Sequence, residues 1–249
     1  MDEVLRFVRE GARSTRYSRL RRFKERGVLE DVGGEVVVNY FSPYTWRLIY
    51  GGGDPERVIF RAINASGGVL TGMRVVGLVA PNPYSDVGIY EVYVPRERAD
   101  VFAAVVGLGE DVVVFRDPRS LFSASPSGTA VLAYELGGYV ESERVGTLYG
   151  FSIDEATLEQ AMVDVIRNDY WYRRGAAFEV YFYAREYLSP GRTFSLAKQV
   201  GVERRLLTID YVVSETVGVE PLFDSLRDAE LDTLPNLPEI VARLGDVVD

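Results

Sequence analysis

A chain of 249 residues with no cysteine and no histidine has neither a disulfide nor a thiolate- or imidazole-held zinc to fix its fold. Hydrophobic burial has to do that work alone. With 47% hydrophobic and 12% aromatic residues, the chain can build one large core or two smaller ones. The same absence removes thiolate nucleophiles and imidazole acid–base catalysis, leaving carboxylates, tyrosines, arginines and the two lysines, Lys24 and Lys198, as titrating groups. No stretch approaches the ~20 apolar residues that span a bilayer. The opening Met1-Asp2-Glu3 is acidic and unlike the start of a secretory signal. The expected setting is the cytoplasm, with no membrane partner and no cofactor.

Charge is partitioned along the chain. The formal net charge is −9, yet residues 1–27 carry nine basic groups against four acids, a local +5, while residues 51–249 carry 18 basic and 30 acidic groups, or −12. The overall pI of about 4.8 therefore conceals a basic segment of the kind that meets nucleic acid.

That segment reads as two helices and a hairpin. Val4, Leu5 and Val8 fall at helical spacing, with acids at the start and Gly11 at the stop. Ser14 or Thr15 caps a second helix that runs to Arg26 and is closed by Gly27. With Leu20 at the centre of the buried face, Tyr17 and Phe23 lie within about 60° of it, and Thr15, Ser18, Arg22 and Arg26 lie opposite, with Arg19 beside them. Val28-Leu29-Glu30, a turn at Asp31-Val32-Gly33-Gly34, and Glu35 to Tyr40 follow as a β-hairpin. Helix, arginine-faced helix and hairpin make a winged helix-turn-helix pattern over residues 1–50. Thr15, Ser18, Arg19, Arg22 and Arg26 would then face the bases of a major groove, with Arg13, Arg16, Arg21 and Lys24 flanking as phosphate contacts. The wing carries Glu30, Asp31 and Glu35, which phosphate repels.

The glycine-rich stretch through Gly51-Gly52-Gly53 marks a boundary. Beyond it, residues 51–220 mix strand and helix patterns: a helix from Asp54 or Pro55 to about Ala65, Thr71 as the cap of a helix through Val79, and strands at Ile89 to Val94 and Asp111 to Arg116. A helix at Arg96 to Val106, strand and turn at Tyr139 to Tyr149, a helix at Ile153 to Arg167 and a helical region to Glu215 complete the pattern. The predicted class is α+β, a winged head followed by a mixed α/β C-terminal domain, with residues 221–249 as an acidic C-terminal tail ending in an amphipathic piece at Pro238 to Val248.

Catalytic signals are weak. Asp154 and Glu155 read as acids at the start of the helix after Ile153, and Glu159 and Asp164, about 140° apart around that helix, read as capping or surface groups. The glycine clusters precede no Lys-Ser/Thr, so no phosphate loop is expected. Aromatic runs at Tyr170-Trp171-Tyr172 and Tyr181-Phe182-Tyr183, with Tyr187, suit a core or an interface. Because interfaces concentrate energy in Tyr, Trp and Arg, the segment Tyr170, Trp171, Tyr172, Arg173 and Arg174 is the expected partner-binding patch.

Several pieces, in order, resemble the AbiEi family of antitoxins from type IV toxin–antitoxin systems. Tyr17-Ser18-Arg19-Leu20 through Glu25-Arg26-Gly27-Val28-Leu29-Glu30, with the Gly33-Gly34 hairpin, is similar to that family's winged-helix head. The run from Gly68 to Leu78, Gly-Val-Leu-Thr-Gly-Met-Arg-Val-Val-Gly-Leu, resembles its helix pair ending in Gly-Leu, and the run from Ala156 to Ile166 resembles its Glu/Asp-bearing helix through Glu159 and Asp164. The head is one helix shorter than the family pattern, and Val76 stands where the family carries His. The resemblance implies a DNA-binding autorepressor, not an enzyme, whose second domain counters a nucleotidyltransferase-like toxin. Two other readings stand beside it: a winged-helix regulator whose second domain senses a small ligand, and a nucleic-acid enzyme with carboxylate-held Mg²⁺.

Overall fold

The computed structural model describes residues 21, 23–25, 29–39, 55–84, 88–107, 109, 112–117, 120, 129–136, 140, 142–148, 150–168, 174–223, 234 and 236–248. Two sheets are present among them. In the first, β1 (Leu29–Val32) pairs antiparallel with β2 (Glu35–Val38) across the Gly33-Gly34 turn, where both glycines have positive φ. This is the hairpin that the β-branched runs predict. Leu29 and Phe23 are buried, whereas Val32 and Val36 near the turn are exposed. The two helices expected before the hairpin lie outside the described residues, apart from Arg21 and residues 23–25, which are helical.

The second sheet has six strands in the order β5-β6-β4-β3-β8-β7. These are β3 (Val69–Thr71), β4 (Ile89–Pro95), β5 (Val112–Phe115), β6 (Thr129–Leu136), β7 (Ser142–Leu148) and β8 (Phe151–Ala156). Pairing is mixed: β3–β4 and β7–β8 are antiparallel, and β3–β8, β4–β6 and β5–β6 are parallel.

Helix α1 (Pro55–Ser66) starts on a proline that loses no helical hydrogen bond there. It stops because Gly67 adopts φ +66° and lets the Gly68 N–H return to the Ile63 carbonyl at 2.9 Å. Its apolar side carries Val58, Ile59, Ala62 and Ile63, all buried. Phe60 meets the Tyr90 ring edge-on, and Asn64 donates to the Ser152 carbonyl at 2.7 Å, which seats α1 on the Tyr90 face of the sheet. There it packs beside α3 (Ala99–Val106).

The opposite face carries α4 (Leu158–Arg167), which packs against α2 (Met73–Val79). Behind α4 lie α5 (Ala176–Ala184), α6 (Pro190–Gln199), α7 (Glu203–Val217) and α8 (Leu237–Val248). Helices on both faces of a mixed sheet make this part of the chain an α/β layered domain. Ile240 and Leu244 of α8 and the preceding Leu234 belong to the main core cluster, so the end of the chain is packed into the domain.

Three local expectations change. Asp154 and Glu155 do not open a helix: they lie in β8, and the helix starts after them with Thr157 as its N-cap, accepting from the Gln160 N–H. The strand wins because β8 is hydrogen-bonded on both sides, by β3 and β7. Thr71 is no cap either; it ends β3, and Gly72 takes the N-cap position of α2. Glu159 and Asp164, read as capping or surface groups, are 8% and 3% exposed, because α4 is buried nearly all round, every residue from Glu159 to Ile166 included.

Candidate functional site

Of the nine residues assigned to DNA, two are among the described residues. Arg21 is exposed and forms an i, i+4 pair with Glu25 at 2.8 Å. Lys24 places its Nζ between both Asp31 carboxylate oxygens, at 2.6 and 2.7 Å, tying the helix to the hairpin. Arg13, Thr15, Arg16, Ser18, Arg19, Arg22 and Arg26 lie outside the described residues. So do Tyr170, Trp171, Tyr172 and Arg173 of the expected partner patch. Arg174 is described: it is exposed, and its carbonyl accepts from Arg243 Nη1 at 2.9 Å, joining the start of α5 to α8.

The second aromatic run divides. Tyr181 is fully buried and donates to Asp210 at 2.8 Å, whereas Tyr187 is 59% exposed. Tyr181 stands inside α5, whereas Tyr187 ends the 3-10 turn Arg185–Tyr187 that follows it.

The most concentrated polar chemistry in the domain lies between the sheet and α4. Residues paired across neighbouring strands share a face, and the registers Thr71↔Glu91 and Tyr93↔Tyr134 therefore put four polar side chains on one side of the sheet. Asp164 descends onto them from α4. It accepts from Thr71 Oγ1 at 2.6 Å, from Tyr93 Oη at 2.5 Å and from Gln160 Nε2 at 3.1 Å. Glu91 accepts from Tyr134 Oη at 2.8 Å, and its other oxygen faces the Met73 N–H at 3.4 Å.

Burial dominates the electrostatics. It pushes Glu91 up to about 7, with the nearby Asp164 charge adding to the rise and the Tyr134 hydroxyl opposing it. It raises Asp164 to about 6 against three stabilising hydrogen bonds. Both tyrosine hydroxyls are driven well above their ordinary range by the same desolvation and by the neighbouring carboxylates.

Gly72 makes room for Glu91. Its φ of +71° and ψ of −149° lie in a region essentially reserved for glycine, and a Cβ there would stand 2.1 Å from Glu91 Oε1. Glu91 is 1% and Asp164 3% exposed, so both carboxyls lie out of reach of a bulky substrate, and their hydrogen bonds tie β3, β4, β6, α2 and α4 together. Among the described residues no group of three or more Asp and Glu side chains is arranged to hold a metal ion. The sequence signal for the network was a lone Glu91 inside the otherwise apolar β-branched and aromatic run Tyr90-Glu91-Val92-Tyr93-Val94.

One open pocket of about 360 Å³ lies on the outer side of α5. Phe182, Tyr183, Tyr187, Val219 and Leu222 line it around Arg185. Its α7-side wall is held in place: the buried Asp210 accepts from the Leu222 and Phe223 N–H groups at 3.1 Å each, and Arg185 Nη2 donates to the Glu220 carbonyl. Sequence reasoning missed Arg185, Val219 and Leu222, which come together only because the turn after α7 folds back along α5.

Compared with known protein families, with curated proteins and with solved structures, the chain finds no match.

Proposed function

We propose that this chain is a DNA-binding regulator of the antitoxin kind, in which a basic head contacts operator DNA and the acidic α/β domain engages a protein partner. The observation that carries the reading is the charge partition, +5 over residues 1–27 against −12 over residues 51–249. The hairpin supports it. Lys24 and Arg21 stand on a helical segment that precedes β1 and β2 in the chain, with Phe23 and Leu29 buried, the order that a recognition helix followed by a wing has. Lys24 is paired with Asp31 and Arg21 with Glu25, so in this reading the phosphate contacts fall mainly to the other arginines of the segment. The AbiEi resemblance narrows the partner to a nucleotidyltransferase-like toxin, with Tyr170 to Arg174 as the proposed contact.

The test is selection of duplexes from a random pool by the full chain, followed by salt titration. Neutralising five or six phosphates gives a slope of log K against log salt of about −5. Arg19→Ala and Arg22→Ala should relax preference at single base positions, and Arg13→Ala should weaken binding to all sequences alike. A salt-independent interaction, or equal losses on selected and random DNA for all three variants, would refute the head assignment. Rescue from a co-expressed toxin, lost in Trp171→Ala without a change in melting temperature, tests the partner surface.

A second reading, a regulator whose α/β domain senses a small ligand, is favoured by the pocket around Arg185.

A further inference from the structure

We propose that Asp31 of β1 competes with DNA phosphate for Lys24, so that the acidic hairpin holds the DNA affinity of the basic head below what its cations alone would give. The inference rests on the DNA-binding reading of the head and names a restraint built into it.

Three observations carry it. The hairpin contains Glu30, Asp31 and Glu35 and no base, and all three acids are exposed. Strand register then separates them. Side chains two apart along a strand share a face, so Asp31 stands on the face of the buried Leu29, whereas Glu30 and Glu35, opposite Val37 and Val32 across the hairpin, stand on the other. The third observation is the contact itself. Lys24 Nζ lies 2.6 and 2.7 Å from the two Asp31 oxygens, with the lysine side chain 33% and the aspartate side chain 61% exposed. Among the described residues, Asp31 is the one hairpin acid that holds a cation.

The consequence follows from charge. Binding to a duplex gains from each protein cation that displaces condensed counterions from the phosphates. An ammonium seated between two carboxylate oxygens is neutralised by its partner and has spent two of its three donors. Lys24 therefore adds nothing to that gain until the pair opens. Exposed ion pairs are held weakly, so phosphate can open this one, but opening it offsets part of the contact that replaces it. Arg21 is restrained less, because Glu25 meets its Nε and a guanidinium has donors to spare. The sign separates this role from a purely structural one. If the pair served only to fix the helix to the hairpin, breaking it would loosen the head and weaken DNA binding; competition for Lys24 predicts tighter binding.

The experiment measures binding of a mixed-sequence DNA duplex to the full chain by fluorescence anisotropy across a salt series. Asp31→Asn should bind about fivefold or more tightly at low salt, and its slope of log K against log salt should steepen by about 0.9, the increment of one added phosphate contact. If that variant fails to fold, Asp31→Ser carries the same comparison. Glu35→Gln makes the same change in net charge from the other face of the hairpin and releases no lysine, so the slope should stay where it was. In a Lys24→Gln background, Asp31→Asn should no longer steepen the slope. The inference alone is overturned if the parent chain binds with a salt-dependent slope and Asp31→Asn binds no more tightly. It is equally overturned if Glu35→Gln steepens the slope as much as Asp31→Asn, or if Asp31→Asn still steepens it without Lys24. If neither the parent nor Asp31→Asn binds the duplex at low salt, the DNA-binding reading of the head falls and this inference with it.

Discussion

The Glu91–Asp164 network and the Arg185 pocket lie in one α/β domain and both bury charge, but they do so in opposite ways. Asp164 accepts three hydrogen bonds, each from a different residue, under a lid of helix. Arg185 has one guanidinium nitrogen engaged by a backbone carbonyl and another without a partner, beside an opening lined with exposed aromatic surface. A buried polar group satisfied from within specifies the packing of the elements that satisfy it. One left partly unsatisfied, as Arg185 Nη1 is away from solvent, adds less to the packing around it. The first cluster therefore governs stability more than the second does.

Mutations in the network should accordingly cost far more than mutations at the pocket, and the contrast fails if they do not. The largest effect belongs to Gly72→Ala. The new Cβ meets Glu91 Oε1 at 2.1 Å in a backbone conformation that alanine resists, and a loss above about 3 kcal/mol is expected by chemical denaturation. Next comes Asp164→Ala, which leaves Thr71, Tyr93 and Gln160 without their shared acceptor; about 2 to 4 kcal/mol should be lost, with Asp164→Asn recovering part of it.

A third test uses pH. Burial raises Glu91 from 4.5 to about 7 and Asp164 from 3.8 to about 6, so the folded chain retains protons that the unfolded chain has already released. Their contribution is fully present below the unfolded values and is lost as pH rises through the folded ones, so the melting temperature should fall from about pH 5 to about pH 8. Glu155 and Glu179, also raised by burial, act in the same direction. Glu91→Gln should flatten the profile, and an unchanged slope would remove Glu91 as its source. The smallest effect is Tyr187→Ala at the pocket mouth. It should alter stability by no more than about 0.5 kcal/mol, measured by the same denaturation.

The hairpin and most of the helices were legible because their signals are local. Gly33-Gly34 between β-branched runs has few other uses, and Val58, Ile59, Ala62 and Ile63 repeat at the helical period. The misreading of Asp154 and Glu155 has the same origin. Two acids before a strongly patterned helix look like dipole partners, and nothing nearby in the chain announces that β3 and β7 flank them. The candidate sites were less legible still. Asp164 looks like any helical acid until Thr71, 93 residues away in the chain, presents its hydroxyl. Arg185 and Leu222 share a pocket only after α6 and α7 have brought the chain back on itself.

By itself the sequence determined the partition of charge, the absence of any cysteine or histidine chemistry, and the alternation of helix and strand periods, because each is a property of composition or of neighbours along the chain. The tertiary structure alone decided the strand order, which carboxylates are buried, and which buried guanidinium nitrogen is left without a partner. Hydrogen-bond satisfaction and desolvation depend on groups far apart in sequence, and packing determines which of them meet.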